Sequence, residues 1–107
     1  MTIATLKDCN RCSKLKSELT SIGINFQEID CESFPDFCDK LEDVTKTYRY
    51  PMIIKNAGNT RELHYVTDSY QDLKLSNDKG SVYILKPYFS LEQMIENLKQ
   101  TKWNTKN

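Results

Sequence analysis

The sequence predicts one α/β domain, a three-layer sandwich with a mixed four-stranded sheet and helices on both of its faces. Three observations lead there. Strand-like and helical patterns alternate from the N-terminus onward. A Cys-x-x-Cys pair, Cys9 and Cys12, stands where the first apolar run gives way to a helical one. The 107 residues, 38% of them hydrophobic, suffice for one modest core without disulfide staples, so residues 1–107 are read as a single domain.

Ile3-Ala4-Thr5-Leu6 is a short apolar run that stops at Lys7-Asp8, a buried strand followed by a loop. From Cys12 the pattern is helical, because Cys12, Leu15, Leu19 and Ile22 recur every three or four positions while Ser13, Lys14, Lys16 and Glu18 take the other side. Gly23 supplies the left-handed cap. Residues 24–30 read as a second strand, parallel to the first through a right-handed crossover. Ser33 as cap and Pro35 in the first turn open a second helix, whose apolar face is Phe34, Phe37, Cys38, Leu41, Val44 and Tyr48. That helix ends near Thr47, since Pro51 forces Tyr50 out of helical geometry. Met52-Ile53-Ile54 and residues 62–66 then form an antiparallel pair around the turn formers 56–60. Residues 67–87 read as an insertion of roughly twenty residues with one strand, 81–86, broken by Pro87. Ser90 and Gln93 form a capping box for a last helix with Leu91, Met94, Ile95 and Leu98 inward. Trp103 is expected to fold back over it.

Fifteen Lys plus Arg balance fifteen Asp plus Glu, so no overall field draws the chain to nucleic acid or to an anionic membrane. The N-terminal residues lack a basic segment followed by a long apolar one, and no apolar run is long enough to cross a bilayer. The expectation is a soluble cytoplasmic monomer. In that reducing compartment four cysteines point to catalysis, metal binding or burial rather than to a permanent disulfide framework.

The thiolate is the attacking species in disulfide exchange, and an unperturbed thiol of pKa about 8.5 is mostly protonated at neutral pH. Cys9 stands just before a helix, where unpaired backbone N–H groups and the positive end of the dipole favour the thiolate. Lys7 and Arg11 add positive charge and Asp8 partly opposes it. Cys12, one turn inward, is placed to attack a mixed disulfide at Cys9, which makes Cys9 the nucleophile and Cys12 the resolving thiol. The pair on its own also suits half a zinc site, with Cys31, Cys38 and His64 as the other candidate ligands. Cys31 and Cys38 are seven positions apart and His64 lies within a strand, a poor match to paired ligand knuckles, so no metal is assigned.

Cys9-Asn10-Arg11-Cys12 after the first strand, Phe26 to Asp30, and Tyr50-Pro51-Met52-Ile53-Ile54 after the second helix together resemble the glutaredoxin branch of the thioredoxin fold. The resemblance covers residues 1–66 well and the last helix loosely. It implies a thiol–disulfide oxidoreductase with no bound cofactor and with glutathione as co-substrate. Implied partners are disulfide-containing proteins, with glutathione or a thioredoxin reductase as electron donor. In that family the proline before the third strand is cis and lies against the active-site cysteines. Pro51 matches it, which makes Tyr50 a backbone clamp for substrate, and Lys7 and Arg11 are the cations that would meet glutathione. The chain departs from the family at three places. Asn10-Arg11 replaces the usual Pro-Tyr, the basic residue before the motif is one position closer, and Pro87-Tyr88-Phe89-Ser90 stands where a Gly-Gly pair and an acidic residue are customary. In its lysine-rich and asparagine-rich composition the chain is similar to small phage and viral glutaredoxins.

Two other readings stand beside this one. A noncatalytic module of the same frame would dock a partner through the segment between the hairpin and the last helix, where Tyr65, Tyr70, Tyr83, Tyr88 and Phe89 also suit plain packing. A zinc-binding module is the other. Cys31 suits a regulatory thiol but, as a lone cysteine at a strand end, is read as mostly structural, and Cys38 is read as core. His64 suits a proton carrier, but alternation would as readily leave it on a solvated face, and nothing argues for catalysis there.

Overall fold

A computed structural model of the chain describes residues 1–57, 60–67, 75–78 and 81–100. Tyr70 and Trp103 lie outside the described residues. Strands β1 (Thr2–Thr5), β2 (Gln27–Asp30), β3 (Met52–Ala57), β4 (Thr60–Val66), β5 (Leu75–Asp78) and β6 (Ser81–Tyr88) alternate with helices α1 (Asn10–Ser21), α2 (Pro35–Thr45) and α3 (Leu91–Gln100). The strands make one mixed sheet in the order β2-β1-β3-β4-β6-β5. β1 runs parallel to β2 with Ala4 opposite Ile29, and antiparallel to β3 with Ile3 opposite Ile53. β3 and β4 form the expected antiparallel pair.

Strand alternation sorts the core into two layers. Ile3, Ile53 and Val66 join Leu15 and Leu19 of α1 and Leu91, Met94, Ile95 and Leu98 of α3 on one face. Ala4, Met52, Ile54, Leu63, Tyr65, Tyr83 and Leu85 join Cys38 and Leu41 of α2 on the other. The three layers are therefore α1 with α3, the sheet, and α2. Two ion pairs, Lys14 to Glu92 at 3.0 Å and Lys99 to Glu18 at 3.2 Å, link α1 and α3 along their exposed edges.

The sheet is larger than the four strands expected. β6 pairs parallel with β4, Leu63 opposite Leu85, and β5 adds antiparallel to β6. The described part of the segment read as an insertion is thus nearly all sheet, and its Tyr83 and Leu85 carry the α2-side core outward. Pro87 does not break β6, which runs on to Tyr88. Its partner β5 reaches only as far as Ile84, so beyond that point β6 has one neighbour among the described strands, the situation in which a strand tolerates proline.

Element ends follow local chemistry. Gly23, at φ 80°, caps α1: its N–H bonds Thr20 O at 3.1 Å and the Ile24 N–H reaches Leu19 O at 2.9 Å, the two bonds of a Schellman ending. Ile24 is taken up by that ending and by the core, so β2 begins only at Gln27 rather than at residue 24. Ile22, assigned above to the apolar face, is instead the 40% exposed cap position. Ser33 does not cap α2. Its hydroxyl donates to Asp30 at 3.2 Å, and Phe34 is the cap residue, without a side-chain bond, ahead of Pro35. Phe34 and Tyr48 are exposed rather than part of the α2 face. α2 stops at Thr45, with Lys46 in the left-handed region at φ 60°. One of the two bonds of the expected capping box is present, the Gln93 N–H to Ser90 Oγ at 3.1 Å, while Gln93 Oε1 accepts from the Phe89 N–H, one residue before the cap, at 3.0 Å.

Candidate active site

β1 ends at Thr5, and the chain turns through Lys7 and Asp8 into α1. Asp8 takes φ 58°, a conformation that aspartate tolerates better than bulkier side chains do. Cys9 follows in extended geometry as the cap residue of α1. Its carbonyl accepts from the Ser13 N–H at 3.1 Å, and its Sγ lies 3.1 Å from the Cys12 N–H. A backbone donor aimed at the sulfur at a helix N-terminus stabilises negative charge there.

Cys9 and Cys12 have Cα atoms 5.2 Å apart and are in disulfide contact. Cys9 is half-buried while Cys12 is 2% exposed within the α2-side core. An incoming sulfur can therefore reach the first and not the second. The Tyr50–Pro51 bond is cis. The Tyr50 carbonyl oxygen sits 3.9 Å from Cys9 Sγ, and the Tyr50 hydroxyl donates inward to Glu42 Oε2 of α2 at 2.7 Å. Burial, then that carboxylate, raise the Tyr50 pKa, so the phenol stays a donor.

A groove lies on each side of the α1 N-terminus. One, of about 530 Å³, runs along β1 and β2 and is lined by Lys7, Asp8, Cys9, Lys16, Glu28 and Asp30 among others. Glu28 accepts from the Thr5 hydroxyl at 2.7 Å and pairs with Lys16 at 3.1 Å. Those two contacts, the hydroxyl first, hold its carboxyl below the usual carboxylate range. The other, of about 300 Å³, lies between α1 and the start of α3, lined by Asn10, Arg11, Lys14, Arg49, Phe89 and Ser90 among others.

Of the residues singled out from sequence, the structure brings Cys9, Cys12, Tyr50 and Pro51 together and sends the two cations apart, Arg11 to the α3 groove and Lys7 to the β2 groove. Arg49, Phe89 and Ser90 were not singled out as site residues. Position just before Tyr50-Pro51 was the available signal for Arg49, whereas Phe89 and Ser90 arrive only through the packing of α3 against α1. His64, which alternation would as readily put on a solvated face, is 3% exposed. Its Nδ1 is 2.8 Å from the Tyr88 hydroxyl and its Nε2 3.1 Å from Glu62. Burial is the main cause that lowers its pKa. Among the described residues no three ligating side chains gather into a metal cluster. Cys31 and Cys38, read as separate structural thiols, have Cα atoms 5.6 Å apart and form a second cross-link. The turn at Asp30, whose carbonyl accepts from the Ser33 and Phe34 N–H groups at 3.0 Å each, closes that gap, and spacing in sequence does not reveal it.

The fold and the dithiol at the head of α1 define a thioredoxin-like α/β chain with a centre of the thiol–disulfide oxidoreductase kind. The family model described as Glutaredoxin matches residues 1–57, more than half of the chain, and the protein belongs to the glutaredoxin family. No curated protein and no solved structure matches it. No described helix is long and apolar enough to cross a membrane.

Proposed function

We propose that the protein reduces protein disulfides or glutathione mixed disulfides through Cys9 and Cys12, acting in the cytoplasm as a monomer. The observation that carries this reading is the asymmetry of the pair. One sulfur is reachable and faces a backbone N–H at the head of α1, and the other is enclosed one turn further in. The Cys9 thiolate attacks a substrate disulfide, forming a mixed disulfide and expelling one thiolate. Cys12 then attacks Cys9 Sγ, expelling the second and leaving the Cys9–Cys12 disulfide. Two glutathione molecules, or a thioredoxin reductase, return it to the dithiol.

Glutathione, an anionic peptide, is assigned to the groove between α1 and α3, where Arg11 and Arg49 supply positive charge. Lys7 is assigned to the protein side of the substrate in the other groove. The Tyr50 carbonyl, beside Cys9 and next to Pro51, is assigned the backbone contact with bound substrate. The noncatalytic and zinc-binding readings have no observation that favours them. The test is glutathione-reductase-coupled turnover of a mixed disulfide. Cys9→Ser should abolish it, and Cys12→Ser should retain glutathione-dependent turnover while trapping protein disulfides. Activity in Cys9→Ser would refute the assignment.

A further inference from the structure

We propose that Cys31 and Cys38 are a second thiol–disulfide couple, opened and closed by small thiols of the glutathione class, and that its state sets the redox equilibrium of Cys9–Cys12. The coupling half rests on the reading of Cys9–Cys12 as the redox centre; the existence of the second couple does not.

Placement carries the proposal. Cys31 is the first residue after β2, and its N–H bonds Thr5 O at 2.9 Å, at the end of the strand that delivers Cys9. Cys38 lies in the first turns of α2 on the face turned to the sheet. Both belong to the apolar cluster that contains Cys12, Tyr50 and Met52. The cross-link ties a helix start that has no side-chain cap, Phe34 standing exposed at the cap position. Further along the same helix, Glu42 receives the Tyr50 hydroxyl, and the Tyr50 carbonyl faces Cys9 Sγ. A covalent tie at one end of α2 and a hydrogen bond near its other end thus lead from the second pair of sulfurs to the first.

Of the connecting residues, Glu32, Ser33, Phe34, Pro35 and Asp36 are exposed, and Phe37 is half-buried against the cluster. Both cysteines are buried, at 7% and 3% exposure, so a small thiol reaches Cys31, the one where this segment leaves β2, only when the segment opens. A glutathione thiolate attacks Cys31 Sγ, the bond to Cys38 breaks, and Cys38 leaves as a thiolate that takes up a proton. A second glutathione thiolate attacks the glutathione sulfur of the mixed disulfide, releasing Cys31 as a thiol and forming glutathione disulfide. Two electrons enter and one disulfide is exchanged for another.

The test uses the intact protein equilibrated across glutathione redox buffers, acid-quenched, thiol-labelled and read peptide by peptide by mass spectrometry. Cys31 and Cys38 should label together in a transition separate from that of Cys9 and Cys12, and should do the same in Cys9→Ser/Cys12→Ser, where the proposed catalytic chemistry is gone. Labelling at every ratio, or at none, would overturn the couple. The Cys9–Cys12 equilibrium with glutathione should shift about fivefold or more between wild type with the second pair oxidised and Cys31→Ala/Cys38→Ala. Adding Glu42→Ala should remove most of the shift, and an equilibrium unchanged between wild type and Cys31→Ala/Cys38→Ala would sink the coupling. Failure of the Cys9→Ser test above would strike the catalytic reading and leave the labelling result standing.

Discussion

The Cys12 N–H is 3.1 Å from Cys9 Sγ, so the residue proposed to resolve the mixed disulfide also supplies, from its backbone, a donor to the sulfur it would attack. In the dithiol form this contact and the dipole of α1 favour the Cys9 thiolate. Alkylation by iodoacetamide followed against pH should show Cys9 reactive well below the pH at which a free cysteine becomes so, with Cys12 slow throughout. Arg11→Ala should move the Cys9 profile upward, and a Cys9 profile indistinguishable from that of free cysteine would contradict the site.

His64 predicts a pH dependence of stability. Its folded pKa lies below the ordinary 6.5, chiefly through burial, so the unfolded chain takes up a proton more readily than the folded one. The contribution from neutral His64 is therefore complete above about pH 6.5 and is lost as pH falls from there toward the folded pKa. Urea unfolding at pH 7.5, 6.0 and 5.0 should give a falling stability, and His64→Asn should flatten that fall.

Lys46 closes α2 at φ 60° with its side chain exposed, and its ion pair to Asp43, at 3.6 Å on the surface, contributes little. Lys46→Gly should raise stability by about 0.5–1 kcal/mol, since glycine adopts this geometry without a Cβ penalty. Lys46→Val should lower it. Thermal unfolding of the two variants is the check.

Leu15 is fully buried where α1 meets the sheet and α3. Leu15→Ala should cost about 2–5 kcal/mol by chemical denaturation. Turnover measured well below the unfolding midpoint should fall much less, because the sulfurs are held by the α1 N-terminus and not by this contact.

What sequence reading recovered were features with local signals. The strand–Cys9–helix junction, the Gly23 ending, the Tyr50–Pro51 turn before β3 and the Ser90–Gln93 cap each declare themselves within a few residues. What it missed depended on partners far along the chain. Residues 81–86 read as a strand, but nothing near Val82 or Leu85 says that β4 is the neighbour, and Pro87 looks like a terminator until β5 is seen to end short of it. His64 alternates as a surface residue would. Its burial comes from Tyr88 on β6, 24 positions away. Arg49 and Ser90 share a groove because α3 packs beside α1, a fact of tertiary structure alone.

Among the described strands the outermost of the sheet, β2 and β5, are four residues each, and β2 carries Gln27, Glu28 and Asp30 exposed. Rims so brief, and on one side so charged, offer a foreign strand little to zip onto. The six-strand width thus gives a broad interior without lengthening the borders along which such sheets fuse into aggregates, and the chain should remain dispersed at high concentration.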